Sequence, residues 1–122
     1  MKIEEDSECE DRIEKNALVD TYSADEALAG WYAYLEYTIL FPFKTASKDK
    51  VIQTISGLCC IEEFDGDFYV WVEIDNDQMM IGIRDLKIIE ASQQTVQVIE
   101  DWQYFCARGD HYYLIENEEE EE

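Results

Sequence analysis

Between residues 23 and 43, apolar side chains recur at the three- and four-residue steps of an amphipathic helix. Ser23 and Glu26 have capping-box spacing, in which each side chain bonds a free backbone N–H at the start of a helix. Pro42 disfavours helical backbone in the residue before it, so this helix should end at or before Phe41. The predicted buried stripe consists of Leu28, Trp31, Leu35 and Ile39, with Tyr32 beside it.

A second helical pattern begins after Ser92, a residue type that caps helices well. Gly109 is a typical helix stop, because glycine readily adopts the left-handed backbone at the end of a helix. The predicted buried face consists of Val98, Trp102 and Phe105, with Ile99 and Cys106 at its border. The chain therefore contains two predicted aromatic-rich helices, one before and one after its central segment.

The central segment, residues 51–87, shows the two-residue alternation of β-strands. In DFYVWVEID, residues 67–75, apolar side chains alternate with Tyr69, Trp71 and Glu73. Gly57 predicts a bulge or kink in the preceding strand. Asn76-Asp77 predicts a tight hairpin turn, since Asn and Asp tolerate positive φ.

This order of elements predicts the fold class and the domain organisation. A helix, several short consecutive strands and a helix favour an α+β fold: a small, strongly bent antiparallel sheet or SH3-like barrel flanked by two aromatic-rich helices. A length of 122 residues fits one domain. We assign residues 1–20 to an acidic flexible N-terminal arm, residues 21–112 to the single domain, and residues 113–122 to an acidic C-terminal tail.

The charge of the chain limits its partners. Thirty acidic residues stand against nine basic ones, which gives a formal net charge of −21. Direct nucleic-acid binding is disfavoured because phosphate contacts need Lys and Arg, and an anionic membrane would repel the chain. Cations and proteins with basic surfaces remain. Since no apolar run reaches the ~18 residues of a membrane span and the acidic N-terminus is unlike a signal peptide, we expect a cytoplasmic protein.

The four cysteines and the single histidine do not have the spacing of a zinc site. We expect Cys9, Cys59, Cys60 and Cys106 to be reduced thiols. Cys106 and His111 are close in sequence, but nothing orients them as a nucleophile and its base, and no phosphate-binding loop is present. The sequence therefore predicts that the protein is not an enzyme.

The most concentrated chemistry lies in EEFDGD, residues 62–67, where four carboxylates surround Gly66. Glycine allows the backbone to curl so that oxygens can converge. Calcium takes roughly six to eight oxygen ligands in flexible geometry, whereas magnesium keeps more of its waters, so the pattern favours Ca²⁺. The predicted metal-binding residues here are Glu62, Glu63, Asp65 and Asp67.

This cluster is not an EF-hand. A calcium loop of that type starting at Asp65 or Asp75 would have Tyr69 or Met79 at its fifth position, which requires Asp or Asn. Asp75 and Asp77 at the predicted hairpin tip add two more candidate ligands. They are also common turn formers, so either role remains open for them.

A different function is also compatible with the charge. An acidic surface can mimic nucleic-acid phosphates or neutralise a basic toxin or enzyme, as an immunity-type inhibitor does. In that case the carboxylates would lie along a surface and would not converge on points.

Four segments carry a resemblance to a known family: GWYAYLEYTILFPF at 30–43, EEFDGDFYVWVEI at 62–74, IGIRDLKII at 81–89 and EDWQYF at 100–105. Together they resemble the small acidic, CcbP-like calcium-binding proteins first known from heterocyst-forming cyanobacteria, over roughly residues 23–106. The resemblance implies a compact bent sheet and a cytosolic calcium buffer without EF-hands. It also implies that Glu36, Glu100 and Asp101 join the acidic loop as candidate metal-binding residues.

Overall fold

The described part of the computed structural model covers residues 6–46, 51–74, 76–112 and 114. It contains three α-helices, five β-strands and two short 3₁₀ turns. In chain order these are α1 (Ser7–Asn16), α2 (Ala24–Thr38), β1 (Phe43–Ala46), β2 (Ile52–Leu58), η1 (Ile61–Glu63), β3 (Tyr69–Ile74), β4 (Asp77–Gly82), η2 (Ile83–Asp85), β5 (Ile88–Glu90) and α3 (Gln93–Ala107). The predicted α+β fold class is confirmed.

The strands form one antiparallel sheet in the order β4-β3-β2-β1-β5. Strands β4 and β5 are its two edges, so the sheet is open and the SH3-like barrel, one of the two predicted forms, is not the one adopted. The predicted bulge is present, because the β2–β3 register shifts between Ile55 and Gly57. The β3–β4 hairpin turns at Asn76, whose φ is +72°.

Helices α2 and α3 begin where the capping residues predict. The hydroxyl oxygen of Ser23 accepts a hydrogen bond from the backbone N–H of Glu26 at 3.2 Å, and that of Ser92 accepts one from Thr95 at 3.2 Å. Trp31 of α2 and Trp102 of α3 are fully buried and meet edge to face, with ring centroids 5.0 Å apart. This aromatic contact is the centre of the hydrophobic core, which the inward residues of the sheet complete.

The N-terminal segment differs from the prediction of a flexible arm over residues 1–20. Helix α1 packs into the core through Cys9 and Ile13, and Ala17 just after it is buried too. These residues recur every four positions, a short apolar stripe within a segment dominated by charge. Gly30 of α2 allows the contact, since a Cβ there would lie 1.9 Å from the carbonyl oxygen of Ala17. Residues 1–5, and the predicted acidic tail apart from Leu114, lie outside the described residues.

The four cysteines are free thiols and differ in exposure. Burial, followed by a hydrogen bond to Asp101, raises the pKa of Cys9 to about 12. Burial is also the main cause that raises the pKa of Cys59 to about 11 and that of Cys106 to about 12. Cys60 is the exposed one.

The thiolate is the reactive form, so a thiol reagent at mildly alkaline pH should label Cys60 rapidly and the other three cysteines only after denaturation. Mass spectrometry of labelled peptides checks this. Fast labelling of Cys106 in the folded protein would show that the described packing of α3 is incorrect.

In the described part of the chain, no helix has the length and hydrophobicity to cross a membrane.

Candidate functional site

The acidic loop, residues 61–68, connects β2 to β3 and separates its aromatic residues from most of its carboxylates. Phe64 and Phe68 are buried, and the Phe68 ring packs against Trp102 with centroids 4.7 Å apart. Gly66 has a φ of +122°, which turns the chain sharply between them. As a result Glu62, Glu63 and Asp65 are exposed, whereas Asp67 is buried.

Asp67 faces the protein interior. Its Oδ1 accepts a hydrogen bond from Trp102 Nε1 at 2.8 Å, and its Oδ2 accepts one from the backbone N–H of Arg84 at 3.1 Å. Burial raises the pKa of Asp67, and the bonds from Trp102 and from the backbone act in the opposite direction. The predicted ligand Asp67 therefore ties the acidic loop to α3 and to η2.

Asp65 lies beside the hydroxyl of Tyr69, and Asp85 lies in η2, which directly follows the Gly82 that pairs with Tyr69. That hydroxyl donates to Asp65, whose two oxygens are 2.9 and 3.1 Å away. The hydrogen bond to Asp65 is the largest cause that raises the pKa of Tyr69, followed by burial and by the negative charges of Asp65, Asp67 and Asp85. Both Asp65 and Asp85 are exposed, and they lie on the two segments, the acidic loop and η2, that the bond from Arg84 N–H to Asp67 joins.

Asp85 was not among the predicted site residues. It lies in η2, far from the acidic loop in sequence, and the bond from Arg84 N–H to Asp67 brings η2 to the loop. Its only sequence signal was its place in IGIRDLKII, a segment that carries the family resemblance.

Glu36 and Glu62 are two further exposed carboxylates, on α2 and in the acidic loop, and a hydrogen bond from the Tyr32 hydroxyl brings α2 close to the chain that leads into that loop. This hydroxyl donates to the carbonyl oxygen of Cys59 at 3.0 Å, at the start of the acidic loop. Burial is the largest cause that raises the pKa of Tyr32, and the negative charge of Glu36 is the next, with smaller contributions that include Glu62. The bond from Tyr32 thus holds the face of α2 that also carries Glu36, one turn later, against the chain before the acidic loop.

Glu100 and Asp101 point to different sides of α3. Glu100 is exposed and lines a groove of about 500 Å³ between α3 and β5, which Glu90 also lines. Asp101 is fully buried. Its carboxylate accepts hydrogen bonds from Arg12 Nη2 at 2.7 Å, Arg12 Nε at 3.0 Å, Tyr34 Oη at 2.8 Å and Cys9 Sγ at 3.0 Å. The contacts of Asp101 therefore join the three helices, and solvent does not reach it.

The tip of the β3–β4 hairpin lies at the end of β3 that is far from Tyr69. Asp77 is exposed and pairs with Ile74, whereas Tyr69 pairs with Gly82 at the other end of the hairpin. Five strand residues separate the two ends by roughly 17 Å, since a strand rises about 3.4 Å per residue. Asp77 therefore does not converge with the acidic loop, and Asp75 lies outside the described residues.

The donor chemistry of the two exposed pairs fits a hard divalent cation. Carboxylate oxygens are the preferred ligands of calcium, and a bidentate carboxylate supplies two of them. Among the described residues, no three or more His, Cys, Asp or Glu side chains are arranged to hold a metal ion. A calcium ion bound by two of these carboxylates would therefore need backbone carbonyls or water to complete its coordination.

Comparisons with known proteins agree with this chemistry. The model of a family described as "Calcium binding", Calci_bind_CcbP, matches residues 11–106. The crystal structure of Anabaena CcbP is similar with a TM-score of 0.78 and 32% identity, over 88% of this chain and 95% of that one. A structure described as a calcium binding protein in the calcium-binding form has a TM-score of 0.70 and 32% identity, over 85% of this chain and 93% of that one. No curated protein sequence matches the chain.

Proposed function

This chain belongs to the CcbP family of calcium-binding proteins, and from that premise we propose that it is a calcium buffer. It is a calcium-binding protein, and Ca²⁺ is its ligand. The family is one of calcium-binding proteins and not of enzymes, and this does not favour the alternative of an acidic decoy for a basic protein. The buffering role and the identity of the ligands are the proposal.

The proposed principal ligands are Asp65 and Asp85. The observation that supports them is that both carboxylates are exposed on two segments joined by the bond from Arg84 N–H to Asp67, next to the paired residues Tyr69 and Gly82. Like charges placed close together repel each other, and a doubly charged cation replaces that repulsion with coordination. Glu36 and Glu62, which are exposed on the elements that the Tyr32–Cys59 hydrogen bond brings together, form a proposed second position.

Other predicted residues have different proposed roles. Asp101 stabilises the helix interface, because its oxygens already accept four hydrogen bonds. Glu63, Asp77 and Glu100 are exposed, and we propose that they raise the local cation concentration without holding a fixed ion. Such steering is long-range and is reduced by salt.

A buffer is the simpler role for open pairs of carboxylates. A sensor needs an element with two arrangements that the ligand biases. Here both pairs lie on elements fixed by packing and hydrogen bonds, namely α2, η2 and the acidic loop. We therefore expect affinity between micromolar and millimolar, with little change of fold on binding.

A titration with a competing calcium indicator at about 150 mM potassium chloride tests the buffering role, because this salt concentration screens diffuse attraction. We expect saturable, stoichiometric binding while the near-ultraviolet circular dichroism changes little. Loss of binding at this salt concentration would indicate a diffuse anionic surface and would favour the basic-partner alternative. A large spectral change on saturation would favour a sensor.

A cytoplasmic location is part of the same proposal. The free cysteines support it, since reduced thiols persist in a reducing compartment. We also propose that the domain begins at α1 and not at residue 21, because Cys9 and Ile13 belong to the core.

A further inference from the structure

Gly82, the last residue of β4, is in contact with the buried carboxylate of the acidic loop. A Cβ built on Gly82 would lie 2.2 Å from Asp67 Oδ2 and 3.2 Å from Asp67 Cγ. The φ and ψ of Gly82, −73° and 142°, are ordinary extended values that any residue adopts. Glycine is therefore required at this position by space and not by backbone conformation.

The carboxylate of Asp67 has little freedom to avoid an added methyl group. Its Oδ1 is bonded to Trp102, which is fully buried, and its Oδ2 is bonded to the backbone of Arg84. Asp67 itself is 8% exposed. Any shift of the carboxylate away from position 82 would lengthen these bonds in an environment where a buried charge needs them.

These contacts also determine where the exposed carboxylates lie. Asp65 is two residues before Asp67, and Asp85 directly follows Arg84, whose N–H bonds Asp67. One buried carboxylate thus joins the loop that carries Asp65 to the segment that carries Asp85, next to the paired residues Tyr69 and Gly82.

We propose that Asp67 and Gly82 are positioning residues for calcium binding: Asp67 is an internal latch and not a ligand, and Gly82 leaves the space that the latch occupies. This inference rests on the proposed role of Asp65 and Asp85 as ligands. It departs from the sequence-based prediction, in which Asp67 belonged to the ligand set.

Gly82→Ala tests the latch, and Gly57→Ala is its matched control. Both glycines lie on strands of the sheet, but among the described residues a Cβ at Gly57 would meet only Trp71 Cδ1, at an ordinary 3.8 Å. We expect Gly82→Ala to raise the calcium dissociation constant by about tenfold or more, since misplaced ligands lose most of their shared coordination. Gly57→Ala should change it less than about twofold.

The nuclear magnetic resonance of the Trp102 indole N–H gives a second measurement. A general loss of stability would leave its chemical shift in the folded protein unchanged. Its resonance, assigned with Trp102→Phe, should shift in Gly82→Ala protein in the presence of chelator and at a temperature where the protein is folded. The Trp31 indole N–H, which lies in the core without a hydrogen-bond partner in the described part of the chain, serves as the internal reference. An unmoved Trp102 resonance would overturn the latch.

A second background keeps the test decisive if Gly82→Ala alone does not fold. In Asp67→Ala protein the clash is removed, so adding Gly82→Ala should change both folding and the dissociation constant less than about twofold, as expected for two coupled sites. If the effects of Asp67→Ala and Gly82→Ala on folding and on the dissociation constant are additive, the proposed positioning role of Asp67 and Gly82 is wrong.

Different results would contradict the two proposals, namely the ligand role of Asp65 and Asp85 and the positioning role of Asp67 and Gly82. If wild-type protein binds calcium and Asp65→Asn with Asp85→Asn leaves binding intact, the ligand assignment is wrong, and the positioning role falls with it even if the Trp102 resonance shifts. If those substitutions weaken binding but Gly82→Ala does not, only the positioning role is overturned.

Discussion

Calcium at about a hundred times its dissociation constant is expected to raise the free energy of unfolding by about 2.7 kcal/mol, because it binds the folded state. For a domain of this size, that corresponds to a rise of roughly 10 °C in the melting midpoint. In the double variant Asp65→Asn with Asp85→Asn, most of this rise should disappear, since the amides lose the charge that holds the cation. Differential scanning calorimetry with calcium and with chelator measures both proteins.

A charge-matched control separates the site from the general effect of net charge. Glu8→Gln with Glu14→Gln also removes two negative charges, at exposed positions of α1. Its calcium-induced rise should match that of the wild type. Equal losses in the two double variants would mean that calcium neutralises the whole acidic surface and does not bind specifically at Asp65 and Asp85.

Asp101→Ala is expected to lower the free energy of unfolding by about 3–5 kcal/mol, the usual cost of breaking a buried ion pair. The substitution leaves Arg12, Tyr34 and Cys9 without the acceptor that they share. Urea denaturation followed by circular dichroism measures the change. Backbone amides of α1 should also exchange hydrogen faster, since this carboxylate joins α1 to α2 and α3.

The adjacent Glu100→Ala is the matched control. Glu100 is exposed on the same helix, so its replacement should change the free energy of unfolding by less than about 0.5 kcal/mol. If Asp101→Ala lowered the free energy of unfolding as little as Glu100→Ala, the contacts of Asp101 would not be what holds the three helices together. Retained calcium binding in folded Asp101→Ala protein is also expected, because Asp101 is not a proposed ligand.

Helices α2 and α3 and the β3–β4 hairpin were predictable from sequence because local signals determine them. Ser23 and Ser92 cap the helices as predicted, and Asn76 turns the hairpin. In each case a short-range preference and the apolar period agree, which is the condition under which sequence interpretation succeeds.

Helix α1 was not predicted, because its stability depends on distant partners. Its apolar stripe is short, and it docks through Arg12, which pairs with a carboxylate 89 residues away. A local pattern contains no information about that pairing. The cap at Asp6 and the four-residue steps of Cys9, Ile13 and Ala17 were the signals that could have revealed it.

The sequence singled out the acidic loop as a candidate site, but it could not show which of the loop's carboxylates the fold exposes and which it buries. Asp65 and Asp67 are equivalent in sequence, yet one is exposed and the other is buried against Trp102. That difference arises from the turn at Gly66 and from the approach of η2, both of which depend on the folded sheet. Asp85 lies near the acidic loop for the same reason, because the folded sheet brings η2 to that loop.

The charges at the two ends of β3 thus have separate explanations. At one end, Asp67 is buried and accepts hydrogen bonds from Trp102 and Arg84, whereas Asp65 and Asp85 are exposed and are the proposed ligands. At the other end, Asp77 is exposed beside a turn that Asn76 already explains.

A crystal structure of the protein grown with calcium would show which carboxylates hold the ion. We expect an ion with calcium–oxygen distances of about 2.3–2.6 Å to the carboxylates of Asp65 and Asp85, while Asp67 still accepts its hydrogen bond from Trp102. An ion ligated by Asp67 with that bond broken, or a calcium ion bound elsewhere with Asp65 and Asp85 turned toward water, would contradict the account.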